Sequence, residues 1–275
     1  MQKSILLCIG LIIGLLSQAA AWAQVVSVEF KDKGFLFSDA PTLNFVWAAK
    51  QARATLIFIP GGEGRLALSP DRSNLGGFYA ATLKPLSDDN LTSGAVNVVV
   101  FDSPVLLPSG TDYPRSRQSA EHLQRIESVA RYFKERFGLP VWIMGHSNGA
   151  VSMTEFYKML QKAQKENLVE GAIYSSARNG AAFNENTRLP ILFLAHERDG
   201  CEKSQPAKSK AHFEQQSKSN PIQPEYLLIK GGEAQAQNPC TSGFHMFYGA
   251  GKEAYSAIDQ FIALHTPAQP APAKP

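Results

Sequence analysis

The sequence lacks the composition of fibrous and disordered proteins. Charged residues make up only 19% of its 275 residues, whereas apolar residues make up 44%. A disordered chain is poorer in apolar residues, and a coiled coil is much richer in charged ones. A chain of this length and composition is therefore expected to fold into a globular α/β domain with a substantial core.

Motifs for metal, nucleotide and nucleic-acid binding are also missing. The six histidines show no ligand spacing such as H-E-x-x-H, and the glycines from Gly61 to Gly64 match neither the dinucleotide fingerprint nor the phosphate-binding loop. The net charge is only +3, and the basic cluster from Lys203 to Lys218 is typical of the polar face of a helix. We expect no metal, no cofactor and no nucleic-acid partner; the oligomeric state stays open.

Long hydrophobic runs are absent except at the N-terminus. Lys3 precedes the apolar run from Ile5 to Leu16, and small residues follow up to Ala23. This pattern predicts a signal peptide over residues 1–23 and a periplasmic or secreted protein. A retained membrane anchor is the alternative, but a spanning helix needs about 20 apolar residues. No stable membrane span is expected after cleavage. The proline- and alanine-rich residues 266–275 predict a flexible tail, which leaves one domain over residues 24–265.

Cysteine is scarce, and its placement is informative. Of three cysteines, Cys8 lies in the predicted signal peptide, so only Cys201 and Cys240 remain. An even pair in a chain exported to an oxidising compartment predicts one disulfide bond. Such a bond would link the loop around Cys201 to the loop around Cys240, or it would stabilise the fold without any relation to a functional site.

Short apolar runs alternate with amphipathic stretches along the chain. This alternation predicts a mostly parallel, doubly wound sheet with helices on both faces, opened by an antiparallel pair. The predicted strands are Val25 to Phe30, Thr42 to Trp47, Ala54 to Pro60, Val96 to Phe101, Val141 to Gly145, Gly171 to Ser175, Ile191 to Ala195 and Tyr226 to Lys230. The predicted helices are Ser116 to Phe137, Ala150 to Lys165, Gln205 to Ser217 and Gly251 to His265.

A G-x-S-x-G motif centred on Ser147 stands between a predicted strand and a predicted helix. A serine at such a sharp turn has its hydroxyl pushed above the sheet, and Gly145 and Gly149 leave room for the backbone to turn. The free N–H groups at the start of the helix would favour negative charge beside Ser147. The motif predicts a nucleophilic serine; the alternative is a glycine-rich turn with an incidental serine.

A nucleophilic serine needs a base and an acid that orients the base. Asp199 follows the strand that ends at Ala195, on the edge of the sheet where Ser147 is expected. We favour Asp199 over its neighbours Glu197 and Glu202, because Asp-Gly forms a tight turn that fixes the side chain. His245 follows the last predicted strand and fits the order Ser, Asp, His.

Stabilising an oxyanion requires two N–H donors. Asn148, immediately after Ser147, is expected to supply one from its backbone. The other is expected from the loop after the strand that ends at Pro60, where Gly62 or Glu63 is the donor. The glycines of this loop let the backbone turn its amides inward.

With these motifs in this order, the sequence resembles the α/β-hydrolase superfamily. The segments VVVFDSP, SAEHLQRIESVARYF and VWIMGHSNGAVS look like small secreted or periplasmic bacterial α/β-hydrolases of uncharacterised function. The resemblance implies a sheet of about eight strands and a Ser147, His245, Asp199 triad that acts through an acyl-enzyme. Asn148 is a departure, since such relatives often carry arginine after the nucleophile.

The resemblance implies a carboxylic-ester hydrolase acting on a small acyl substrate. Alternatives are a peptidase or amidase with the same triad, and a non-catalytic binding protein of this fold. Only Ser176 to Pro190 separates two predicted strands where relatives often insert a cap, so no large cap domain is expected and a lipase is disfavoured. Tyr113, Arg115 and Arg117 are either ordinary loop residues or contacts for a substrate carboxylate.

Overall fold

The computed structural model describes residues 21–30, 39–105, 113–234, 238–241 and 243–266, with side chains from residue 115 onward in the third range. The predicted signal peptide up to residue 20 and the predicted tail from residue 267 lie outside the described residues. The first strand begins at Trp22, so cleavage after Ala23 would leave residues 24–28 of it. Within the described ranges, no helix is both long and apolar enough to cross a membrane.

Strands and helices alternate along the described chain, as the apolar runs predict. The strands are β1 Trp22–Val28, β2 Thr42–Ala48, β3 Ala52–Ile59, β4 Ala95–Asp102, β5 Val141–His146, β6 Gly171–Ser175, β7 Ile191–His196 and β8 Glu225–Ile229. The α-helices are α1 Tyr113–Arg117, α2 Ala120–Phe137, α3 Gly149–Lys162, α4 Pro206–Ser219 and α5 Gly251–His265.

The eight strands form one sheet in the order β1-β2-β4-β3-β5-β6-β7-β8. Strand β2 pairs antiparallel with β1 and β4, and the remaining neighbours pair parallel. This confirms the predicted, mostly parallel α/β sheet. The strand order reverses between β3 and β5, and ligands of open α/β sheets bind beyond the carboxyl ends of the strands at such a point. The loops that follow β3, β5 and β7 all open onto this edge.

Each face of the sheet carries its own apolar core. Alternate residues of a strand point to opposite faces, so Ile57 and Ile143 pack with helices α2 and α3, whereas Leu56 and Trp142 pack with helix α5. Helix α4 contacts the first core through Phe213, which packs against the ring of Phe193. The central strands are buried on both faces, which explains their continuous apolar sequences.

Two predictions of local structure were wrong. The predicted helix from Ser116 to Phe137 is divided, because Ser119 has extended backbone angles and ends one helix before the next begins at Ala120. Strand β8 was expected to be buried, but Leu227 and Leu228 are 42% and 37% exposed. Strand β8 is the last strand of the sheet and pairs only with β7, so part of its surface faces solvent.

Candidate active site

Ser147 occupies a sharp turn between β5 and α3. Its backbone φ is +51°, which is rare for a residue other than glycine. The flanking glycines are required by the packing: a Cβ at Gly145 would lie 2.5 Å from the Cα of Ala150, and one at Gly149 would lie 2.0 Å from the carbonyl oxygen of Ile59. Ser147 is half-buried, unlike the buried residues on either side of it. The G-x-S-x-G motif thus presents its serine at the open edge of the sheet.

Asp199 and His245 form a buried pair beside this turn. Nδ1 of His245 donates to Oδ2 of Asp199 across 2.8 Å, and the two side chains are 1% and 0% exposed. The second carboxylate oxygen of Asp199 accepts the backbone N–H of Cys201 at 2.9 Å. The Ser204 hydroxyl lies 3.1 Å from Nδ1 of His245. A carboxylate that accepts from Nδ1 leaves the lone pair of Nε2 free to take a proton.

The free nitrogen of His245 is buried and has no hydrogen-bond partner among the described residues. The His245 ring lies against the serine turn, with its centroid 5.0 Å from that of His146. No hydrogen bond joins Ser147 to His245 within the described part of the chain, and such catalytic hydrogen bonds often tighten only when substrate binds. The structure therefore pairs Asp199 with His245 and brings His245 next to the turn that carries Ser147.

The alternatives for the acid and the base lie elsewhere. Glu197 and Glu202 are exposed. His146 is 3% exposed, and its ring nitrogens contact the Ser175 hydroxyl at 2.9 Å and the sulfur of Met246 at 3.2 Å. Burial, and secondarily the neighbouring His245, holds the pKa of His146 well below its usual value, so this ring is neutral and packs the wall of the site.

The loop after β3 lies directly against Ser147. A Cβ at Gly61 would stand 2.8 Å from the Cβ of Ser147, and Gly62 has a φ of +53°. The backbone N–H groups of Gly62, Glu63 and Asn148 have no acceptor in the described ranges. The N–H groups of the three predicted oxyanion donors are thus free within the described ranges, and the contacts of Gly61 and of the Asn148 side chain place the loop against the turn of Ser147.

The side chains of Asn148 and Arg117 make contacts with this loop that the sequence analysis did not predict. The Asn148 side chain donates to the carbonyl oxygen of Gly62 at 3.0 Å and accepts from Arg178 at 2.8 Å. Arg117, predicted to be a loop charge or a substrate contact, is completely buried behind the loop and donates to its carbonyl oxygens. Neither contact has a local sequence signal, because the partners are dozens of residues apart.

The predicted disulfide bond between Cys201 and Cys240 is confirmed. It joins the loop that carries Asp199 to the segment that leads to His245. Cys201 is 1% exposed, and its backbone N–H is the one that holds Asp199. The bond therefore supports the Asp199–His245 pair through a direct contact.

Removal of this disulfide bond by the double substitution Cys201→Ser and Cys240→Ser is expected to lower both stability and activity. The bond closes a separation of 39 residues, for which the chain-entropy model gives about 4 kcal/mol. Urea unfolding measures the loss of stability, and kcat at a temperature where the variant is folded measures the effect on the pair. An unchanged midpoint together with an unchanged kcat would contradict this prediction.

Acid is expected to destabilise the fold through His122. This side chain is fully buried, and burial, followed by Arg117 and Arg125, lowers its pKa to about 3. Because the folded-state pKa lies below the unfolded value of 6.5, stability is present above pH 6.5 and is lost as the pH falls towards 3.

The free energy of unfolding should fall by at most about 1.4 kcal/mol per pH unit, because only one group takes up a proton. Urea unfolding at pH 7.0 and 5.5 should show a smaller pH dependence for His122→Gln than for the wild type. His212→Gln, on the half-buried side of α4, is the matched control. Equal pH dependence in wild type and His122→Gln would refute the prediction.

Residues 176–190 between β6 and β7 contain no helix, and no large cap domain is evident among the described residues. Within the described residues, no group of three or more histidine, cysteine or acidic side chains is arranged to hold a metal ion. A separate cavity of about 350 Å³ lies between β8 and α5, and none of the candidate site residues lines it.

No protein-family model matches the chain, and the curated proteins contain no match to it. Solved structures do match. A serine hydrolase without a lid from Xanthomonas campestris is 14% identical with a TM-score of 0.59, and the match covers 92% of this chain and 99% of that one. A cold-adapted esterase from an Arctic intertidal metagenomic library is 10% identical with a TM-score of 0.57, covering 89% and 94%. The dienelactone hydrolase of Anabaena variabilis is 11% identical with a TM-score of 0.55, covering 90% and 99%.

Proposed function

We propose that the chain, which has the fold of the α/β-hydrolases, is a serine hydrolase that cleaves carboxylic esters of small acyl groups. The observation that carries the proposal is the Asp199–His245 pair, in which Nε2 of His245 has no partner among the described residues and the His245 ring lies 5.0 Å from the ring of His146, the residue before Ser147. A buried imidazole with one nitrogen held by a carboxylate and the other unpartnered is prepared to take a proton.

The chemistry follows the geometry. The Ser147 oxygen bonds to the acyl carbon as Nε2 of His245 takes its proton, and the N–H groups of Asn148 and of Gly62 or Glu63 donate to the oxyanion. The bond to the leaving oxygen then breaks, and His245 returns the proton to it. Water attacks the acyl-enzyme by the same route and frees Ser147. Asp199 stabilises the protonated imidazole throughout, and no step needs a cofactor.

An ester substrate is favoured by the names of the structural neighbours, which include an esterase and a serine hydrolase without a lid. A small acyl group is favoured because the described residues include no large cap domain that could supply an apolar lid for a long chain. A periplasmic or secreted location fits the disulfide bond, since such bonds persist in oxidising compartments.

A substrate panel tests this proposal. The chain beginning at Gln24 is assayed with p-nitrophenyl esters of two to twelve carbons and with the matched p-nitroanilides, with Ser147→Ala as the blank. We expect turnover of esters, fastest for short acyl groups and slower for the anilides. Preference for anilides would instead indicate a peptidase or amidase. Folded protein that turns over neither class would indicate a binding protein and would contradict the proposal.

A further inference from the structure

Arg117 makes an unusual set of contacts with the loop that faces Ser147. Its Nη1 donates to the carbonyl oxygen of Pro60 at 3.1 Å and to the hydroxyl of Ser152 at 3.0 Å. Its Nη2 donates to the carbonyl oxygens of Gly61 at 3.3 Å and Gly62 at 2.8 Å. One guanidinium group therefore holds three consecutive carbonyl oxygens.

This arrangement is costly for the fold. Arg117 is 0% exposed, and none of the acidic side chains in the described ranges forms an ion pair with it. Burial, with a smaller contribution from Arg178, lowers its pKa to about 9, so the group is still charged at neutral pH. Stability alone does not explain a buried cation without a carboxylate partner, because an apolar side chain could fill the same space without the cost of burying a charge.

The peptide geometry indicates what the contacts achieve. In a trans peptide the C=O and the N–H of one unit point in opposite directions. The carbonyl of Gly61 shares its peptide unit with the N–H of Gly62, and the carbonyl of Gly62 shares its unit with the N–H of Glu63. Holding these two carbonyls towards Arg117 therefore turns both free N–H groups away from it, in a loop whose Gly61 lies against Ser147.

We propose that Arg117 is a positioning residue that sets the oxyanion hole by holding the carbonyl groups of residues 60 to 62. The proposal rests on the proposed serine hydrolase function. Charge on the carbonyl side of a peptide also polarises its N–H, which makes it a stronger donor to an oxyanion.

The surrounding side chains hold Arg117 in place. The Ser152 hydroxyl accepts from Arg117 and lies 2.8 Å from Nε2 of His122. His122 belongs to α2 and Ser152 to α3, so both helices anchor the guanidinium group. The Asn148 side chain also donates to the carbonyl oxygen of Gly62.

The test compares Arg117→Met, which keeps most of the volume, with Arg117→Lys, which keeps the charge but not the planar fork. Loss of an oxyanion donor costs about 10²- to 10³-fold in kcat, and we expect a fall of that size for Arg117→Met, with KM changed less than threefold. Affinity for a trifluoromethyl ketone, which forms a tetrahedral adduct on the serine, should fall by the same factor as kcat/KM.

Arg117→Lys should keep a melting temperature near that of the wild type and lose about tenfold in kcat, between the wild type and Arg117→Met. It therefore tests the proposal if Arg117→Met does not fold. Arg131→Met, which removes an exposed ion pair with Glu127 on α2, is the control and should leave every value unchanged.

Each other outcome overturns the proposal. A folded Arg117→Met or Arg117→Lys with wild-type kcat would show that the loop positions itself. A fall in kcat without a loss of affinity for the trifluoromethyl ketone would show that Arg117 does not act by setting the oxyanion hole. Wild-type protein that neither hydrolyses esters nor reacts with a fluorophosphonate would contradict the proposed function itself. An active wild type whose Arg117 variants keep the wild-type kcat would contradict only the role of Arg117.

Discussion

Ser147→Ala is expected to lower kcat for ester hydrolysis by about 10⁶-fold. The alanine has no nucleophile, while the N–H groups of Gly62, Glu63 and Asn148 remain in place. Residual catalysis by donors and binding alone should stay about 10³- to 10⁴-fold above the reaction in water. The fold should survive, because alanine keeps the Cβ that Ser147 already places at a φ of +51°.

The measurement is steady-state hydrolysis of p-nitrophenyl acetate at neutral pH, with thermal unfolding as the check on folding. Ser217→Ala on helix α4 is the matched control, since its hydroxyl donates only to the carbonyl of Phe213. Activity within tenfold of the wild type in folded Ser147→Ala would exclude this serine as the nucleophile.

His245→Ala is expected to reduce kcat by a similar factor of about 10⁶, because the base and the nucleophile act as one unit. The double variant Ser147→Ala with His245→Ala should then be no more than a few-fold less active than either single variant. Asp199→Asn keeps the shape but presents an N–H to Nδ1, which favours the wrong tautomer, and should cost about 10⁴-fold.

The measurement is kcat for p-nitrophenyl acetate, compared between the two single variants and the double variant, with His212→Gln as the control. Full additivity of the two single substitutions would contradict the assignment of His245 as the base.

Much of the fold could be predicted because each central strand is a short apolar run. Residues such as Ile57 and Leu56 are buried on opposite faces by different helices, and this two-sided burial makes the sequence continuous rather than alternating. Strand β8 has the same apolar pattern at the edge of the sheet, so its exposure could not be foreseen from periodicity. The division at Ser119 depends on a backbone angle that the sequence does not specify.

The candidate site was predictable where its chemistry is local. Gly145 and Gly149 reveal the turn at Ser147, because any Cβ there would meet backbone atoms. Arg117 was not predictable in this way. Its partners at residues 60 to 62 lie more than 50 positions away, and arginine in a polar stretch is typical of a surface. Its burial arises only when α1 packs behind the loop after β3.

Labelling with a fluorophosphonate probe tests the central claim most directly, because the reaction forms a bond from an activated serine oxygen to phosphorus and releases fluoride. The folded chain beginning at Gln24 is treated under non-reducing conditions, and the modified peptide is mapped by mass spectrometry beside Ser147→Ala and His245→Ala. The account predicts one adduct, on Ser147, that is lost in both variants. Folded wild type without an adduct, or with an adduct on another serine, would contradict it.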